Sequence, residues 1–141
     1  MWKAIGAADT ARSRIERLVD PGTFVEYGPM ALAAQRRRRT REDLIQKSPA
    51  DGLITGVGAV NGRLFGEPDN RCAEMIYDYT VFAGTQGLVN HHKKDRMFDI
   101  AERSKLPVVF FAEGGGGRLW ASRKTGTLTE AIMTEIGRAH V

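Results

Sequence analysis

The sequence predicts one mixed α/β domain assembled from ββα units. Two stretches of β character, Leu53–Val60 and Arg71–Tyr77, precede a segment of helical period from about Thr85 to Ser104, and a short apolar run, Pro107–Ala112, follows it. Two strands, a helix and a further strand fit a repeating ββα unit better than a simple βαβ wind. At 141 residues, with 42% hydrophobic and 27% charged side chains, the chain has material for one core but not for two.

Taken in order, residues 8–19 place Ala11, Ile15, Leu18 and Val19 at helical spacing, while Arg12, Arg14, Glu16 and Arg17 fill much of the other side. This predicts a short amphipathic helix that packs on the domain or on a partner. Asp20-Pro21-Gly22 ends it, because proline disfavours a helical residue before it and glycine permits the turn. Thr23–Tyr27 alternates well enough for a short strand.

Residues 35–50 carry the run Arg36–Arg39 and Arg41, followed by Glu42, Asp43 and Lys47. Such a run is either a clamp for phosphates, of a nucleotide or of a nucleic acid, or a solvated loop. No aromatic residue is interleaved with it, which counts against single-stranded nucleic acid, where bases need stacking platforms.

Gly56 and Gly58 inside the strand Leu53–Val60 signal a bulge or a close backbone approach. They do not open a dinucleotide fingerprint, since the third position is Asn61 and no helix signal follows. Asn61-Gly62 predicts a type I′ hairpin turn, with Arg71–Tyr77 as the partner strand.

Within Thr85–Ser104, Val89, Met97, Ile100 and Ala101 fall near one face, with Lys93, Lys94, Asp95 and Arg96 largely away from it. His91 and His92 project about 100° apart and make a poor metal pair.

Pro107–Ala112 has the composition of a buried strand, and Gly114–Gly117 with Arg118 follow it. Backbone without side chains, fixed at a strand end, lets a substrate reach main-chain N–H groups, which is how an oxyanion hole is made. The same glycines fail as a P-loop, for no Gly-Lys-Ser/Thr follows to hold phosphate and magnesium. No Ser-His-Asp arrangement is evident. Beyond them, Thr127 and Glu130 form a capping box ahead of apolar Leu128, Ile132, Met133 and Ile136.

The formal charge is +4, from 21 Lys plus Arg against 17 Asp plus Glu, and this favours anionic ligands in general. A single cysteine, Cys72, excludes an internal disulfide framework and a four-cysteine zinc site. No run approaches the roughly 18 apolar residues of a membrane span, and a cytoplasmic location is expected.

Several separated motifs, in order, resemble the carboxyltransferase (beta) subunit or domain of biotin-dependent acyl-CoA carboxylases. They are Asp20–Glu26, Asp51–Arg63, Asp78–Gly87, Lys93 and Lys94 with Asp99–Ala101, Leu106–Val109, and Gly114–Arg118. The resemblance covers residues 9–118. Many members have Ser-Gly-Gly-Ala-Arg where this chain has Gly114–Arg118, and both versions keep paired glycines.

The resemblance implies the N-terminal part of a crotonase-like (ClpP/crotonase) ββα spiral, and transfer of a carboxyl group from carboxybiotin to the α-carbon of an acyl-CoA. It implies Gly115 and Gly116 as oxyanion N–H donors to the thioester carbonyl; with an acyl-CoA as substrate, the basic residues Lys93, Lys94, Arg118, Arg36 and Arg37 are read as contacts for the CoA phosphates, against the alternative of an exposed, solvated face. Biotin on a partner domain or subunit, biotin carboxyl carrier and biotin carboxylase components, and a homo-oligomer when full length are implied too. No zinc, membrane or nucleic acid is expected.

Residues 1–118 are expected to be an N-terminal portion lacking the second half of the site, inactive alone. Residues 119–141 are expected to be a non-native tail from a frameshifted or chimeric read, with 136–141 like a translated sequencing adapter. The alternatives are a crotonase-like acyl-CoA hydratase or isomerase, which needs an acidic pair over the substrate, and a basic nucleic-acid-binding module using Arg36–Arg41.

Overall fold

The computed structural model describes residues 10–114 and 116–117. A four-stranded sheet forms its centre, in the order β1 (Val25–Glu26), β2 (Leu53–Ala59), β3 (Arg71–Tyr77) and β4 (Val108–Phe111). β2 pairs antiparallel with both β1 and β3, whereas β4 lies parallel to β3. A parallel neighbour needs a crossover connection, and the helix α3 (Leu88–Ser104) supplies it.

Both faces of β2 and β3 are covered, so these strands read as nearly continuous apolar runs. Leu53 and Val57 of β2 and Ala73, Met75 and Tyr77 of β3 turn to one face, where Met97 and Ala101 of α3 meet them. Ile54 and Ile76 turn to the other, against Ala11, Ile15 and Val19 in and beside the helix α1 (Ala11–Leu18). The pairing Leu53↔Tyr77 through Ala59↔Arg71 keeps that alternation in step, because a slip of one residue would exchange the faces. Thr10 caps α1, its side chain accepting from the Ser13 N–H, and Pro21 follows the helix as expected.

The glycines in β2 serve close approach. A Cβ at Gly56 would lie 2.4 Å from the Phe24 ring, and one at Gly58 2.9 Å from Val19 Cγ1.

Three expectations differ from what is observed. Asn61 has positive φ (55°) but Gly62 does not, and no two-residue hairpin forms. Instead Asn61 O accepts from the N–H groups of Leu64 and Phe65, and the Gly62 N–H donates to Asp20 Oδ2 at 2.7 Å, so a longer loop joins β2 to β3. Residues 35–50 contain a helix, α2 (Arg41–Lys47), whose N-cap Thr40 accepts from the Asp43 N–H. β4 is half exposed, with Val108 at 39% and Phe110 at 37%, because among the described residues it forms the outer edge of the sheet. The expected tail at 119–141 lies outside the described residues.

Candidate functional site: a glycine loop beside an arginine cleft

Parallel pairing with β3, from Ala73↔Val108 to Ile76↔Phe111, sets the direction in which β4 delivers the glycines. Two segments then hold them. Arg14 of α1 pairs with Glu113 at 2.7 Å, and its guanidinium carbon lies 5.8 Å from the centre of the Phe111 ring. On the other side, the Gln86 N–H donates to Gly116 O at 2.9 Å, and Gln86 and Gly117 form a parallel bridge. Gly116 has φ 84°, a left-handed value that favours glycine, and among the described residues nothing lies within 4 Å of a Cβ built there. The backbone is therefore anchored on the Gln86 side, and among the described residues no side chain crowds the direction of that Cβ. Gly115 and Arg118, the other site residues expected here, lie outside the described residues.

A cleft of about 540 Å³ opens next to this loop's anchor. Arg36, Arg37, Arg38 and Arg41 line it together with apolar Met30 and Leu32, and Gly87–Val89 at the start of α3 also contribute. The arginine segment is held in place by its own hydrogen bonds. Ser48 Oγ accepts from the Ala33 N–H at 3.2 Å and donates to Leu44 O at 2.7 Å, and Arg39 Nε donates to Gln35 Oε1 at 3.1 Å. The arginines make the cleft favour a negative ligand, while at the α3 start the Asp51 carboxylate already takes the Asn90 N–H. The arrangement can bind an anion with an apolar portion.

The start of α3 is fixed from below. Asp51 Oδ2 accepts from the Asn90 N–H at 2.9 Å, Asn90 Nδ2 donates to Asp51 O at 3.0 Å, and Asn90 Oδ1 accepts from the Gly87 N–H at 2.8 Å. Both side chains are buried. The turn supplying Asp51 puts Ala50 and Asp51 at φ 53° and 50°, so this lock is reached through left-handed backbone.

Lys93 has a different place from the expected one. Its ammonium turns inward and donates to Ala50 O at 3.0 Å and to Leu53 O, and desolvation there lowers its pKa to about 8. The reason is helical spacing: Lys93 stands four residues before Met97 and eight before Ala101, on the core face. Lys94 is half-buried on α3 and is not among the cleft residues. His91 is pushed down in pKa chiefly by burial and then by Lys94, and its Nδ1 lies 3.8 Å from Asp95 Oδ1. Among the described residues no cluster of three or more His, Cys, Asp or Glu could hold a metal.

Arg36 and Arg37 do line the cleft, and Arg38, Arg41 and the α3 start join them. Gln86, Gly84 and the Asp51–Asn90 pair were not singled out from the sequence. Asn90 could have been found from its spacing of seven residues to Met97 on the buried face.

Residues 6–138 match the carboxyl transferase domain family, a range that runs on past Arg118. The chain is 36% identical over 111 residues to the propionyl-CoA carboxylase beta chain of Saccharopolyspora erythraea, covering 78% of this chain and 18% of that protein. Its fold is similar to a single-chain, multi-domain long-chain acyl-CoA carboxylase (TM-score 0.78, 55% identity, 85% of this chain and 12% of that one). It is also similar to the transcarboxylase 12S hexamer with methylmalonyl-coenzyme A bound (TM-score 0.63, 29% identity, 81% and 20%). The chain thus spans about a fifth of the length of the curated relatives it matches.

Proposed function

The chain belongs to the carboxyl transferase domain family, and we propose that it supplies acyl-CoA binding and thioester activation within a biotin-dependent acyl-CoA carboxylase. The observation that carries this reading is the glycine loop anchored by Gln86 at the end of β4, one residue from a cleft of arginines that begins at Gly87. Arg36 and Arg37, with Arg38 and Arg41, take the CoA phosphates, and the apolar wall of Met30 and Leu32 takes the adjoining apolar part of the ligand. Lys94 and Arg118 are further phosphate contacts in this proposal, whereas Lys93 is spent on carbonyl oxygens of the turn below α3.

Gly116, with Gly115 beside it, donates its N–H to the thioester oxygen as negative charge gathers there on loss of the α-proton. A donor already fixed in place costs no reorganisation at that moment, and losing one raises a barrier by about 3 to 4 kcal/mol. Carboxybiotin, delivered on a carrier domain or subunit, supplies the carboxyl group and the base for the α-proton. A biotin carboxylase component, a homo-oligomeric assembly and a cytoplasmic setting belong to the same proposal. Among the described residues no helix is long and apolar enough to cross a membrane.

Calorimetric titration of the chain with coenzyme A, pantetheine and duplex DNA tests the reading. Coenzyme A binds and pantetheine does not, and the double variant Arg36→Gln, Arg37→Gln weakens coenzyme A about tenfold or more, as expected for lost charge-assisted bonds. Equal affinity in the variant, or binding of duplex DNA in preference to coenzyme A, overturns it.

A further inference from the structure

The turn Phe82–Gly84 and the three residues after it touch both parts of the candidate site. Phe82, Ala83 and Gly84 have φ values of 50°, 54° and 64°. A bulky side chain in the left-handed region is a rare and costly arrangement that persists only where surrounding contacts enforce it. Those contacts are on both sides. The guanidinium carbon of Arg39 lies 5.6 Å from the centre of the Phe82 ring, which joins the turn to the arginine segment.

On the other side, the backbone of Gly84 meets that of the glycine loop with no room for a side chain. A Cβ at Gly84 would lie 2.4 Å from Glu113 O and 2.9 Å from Gly114 Cα, and a Cβ at Gly114 would lie 2.1 Å from Gly84 O. Two residues on, the Gln86 N–H holds Gly116 O, and the next residue, Gly87, is in the cleft wall. The turn's own donors are already used, since the Gly84 N–H bonds Val81 O and the Thr85 N–H and hydroxyl bond Phe82 O. It therefore shapes a neighbour and offers no amide of its own at Gly84 or Thr85.

We propose that Phe82–Gly87 is the positioning element of the glycine loop, with Gly84 and Gln86 setting where the backbone of Gly114 and the Gly116 carbonyl lie and the Arg39–Phe82 stack tying that setting to the arginine segment. The catalytic purpose of the loop rests on the function proposed above. The positioning itself does not, and it is testable without ligand.

The experiment is NMR on the full ¹⁵N-labelled chain, read as the ¹H–¹⁵N heteronuclear NOE at Gly116 and Gly117, with amide hydrogen exchange at Ile54 and Met75 reporting on the core. Gly84→Ala introduces the excluded Cβ. Gln86→Pro removes the anchoring N–H, and Thr85, at φ −69° and ψ 141°, already has the extended backbone that a following proline requires. Both variants lower the heteronuclear NOE at Gly116 and Gly117 below the wild-type values, as the anchored backbone is released, while Ile54 and Met75 keep wild-type protection.

Gly66→Ala, at a glycine with nothing within 4 Å, and Ala83→Gly, which suits its left-handed position, leave all four amides as in the wild type. Arg39→Gln shifts the Gly116 and Gly117 resonances in the direction seen for Gly84→Ala. Wild-type NOE values at Gly116 and Gly117 in Gln86→Pro overturn the proposal, and so does a loss of exchange protection at Ile54 and Met75. Failure of the wild type to bind coenzyme A would sink the assigned function and leave the result at Gly116 and Gly117 standing.

Discussion

An ammonium held against two carbonyl oxygens in a desolvated turn keeps its proton less firmly than an exposed one. Lys93 is lowered from 10.5 to about 8, first by burial, with Glu26 and Asp51 opposing the shift. Between those values the unfolded chain holds a proton that the folded chain lacks, so this group makes the fold more stable as pH rises. Cys72 acts in the opposite sense. Burial first, and Glu74 second, push its thiol from 9.0 to about 12, so over that range the fold keeps a proton that the unfolded chain has lost. The two effects oppose one another in the wild type from pH 9 to about 10.5. Relative to it, Lys93→Met should lose urea resistance as pH rises through that window and Cys72→Ala should gain it; parallel curves for all three proteins would refute both assignments. Glu74 is fully buried, its Oε2 has no partner among the described residues, and burial raises its pKa. Its folded form thus favours the protonated carboxyl, whose stabilisation is complete at low pH and lost as pH rises. Glu74→Gln should therefore be more stable than wild type at neutral pH, by on the order of 1 kcal/mol, with the difference vanishing in acid. Unfolding curves at both pH values measure it.

The elements meet through small residues and shared caps. β1 reaches β2 because Gly56 has no side chain where the Phe24 ring lies, 2.4 Å from a built Cβ. Gly56→Ala should cost about 1 to 3 kcal/mol by overpacking, and a Phe24→Ala background should recover only the ring's share, because Val25 O lies 2.5 Å from the same Cβ; a double-mutant cycle of denaturation midpoints would read that partial coupling. Full cost in both backgrounds would show that the ring is not the obstacle. The start of α3 depends on Asp51, whose carboxylate takes the Asn90 N–H in a buried setting. Asp51→Ala should destabilise by about 1 to 3 kcal/mol, since it leaves that donor unsatisfied. It should also weaken coenzyme A binding, because the Gly87–Val89 wall of the cleft is carried by the same turn. α2 shows how an element escapes a charge-based reading: Thr40 and Asp43 have N-cap spacing, but the arginine run beside them dominates the composition.

At the scale of the whole molecule, α1 and α3 cover opposite faces of the sheet, and the exposed border falls at β4, where Val108 and Phe110 are in partial contact with solvent and Phe110 lies beside Phe98 and Tyr77. An apolar edge strand is a template for pairing with another chain. Val108→Lys should lower self-association of the chain in sedimentation velocity without moving its unfolding midpoint by more than about 0.5 kcal/mol; an unchanged sedimentation profile in a self-associating chain would exclude that edge. Apolar runs and helical period sufficed to place α1, β2, β3, α3 and β4 in order, because each carries the apolar side chains that it buries, although β4 stands half exposed at the sheet edge, and the ordered motifs identified the family. That the exposed arginine run borders a cleft, whether Lys93 faces solvent or carbonyl oxygens, and which turn anchors the glycines were decided only by folding. Each of those depends on groups far apart in sequence: Arg36 and Gly87, Lys93 and Leu53, Gln86 and Gly116. Local pattern records what a segment prefers to bury, and it carries no information about which distant backbone will be there to meet it.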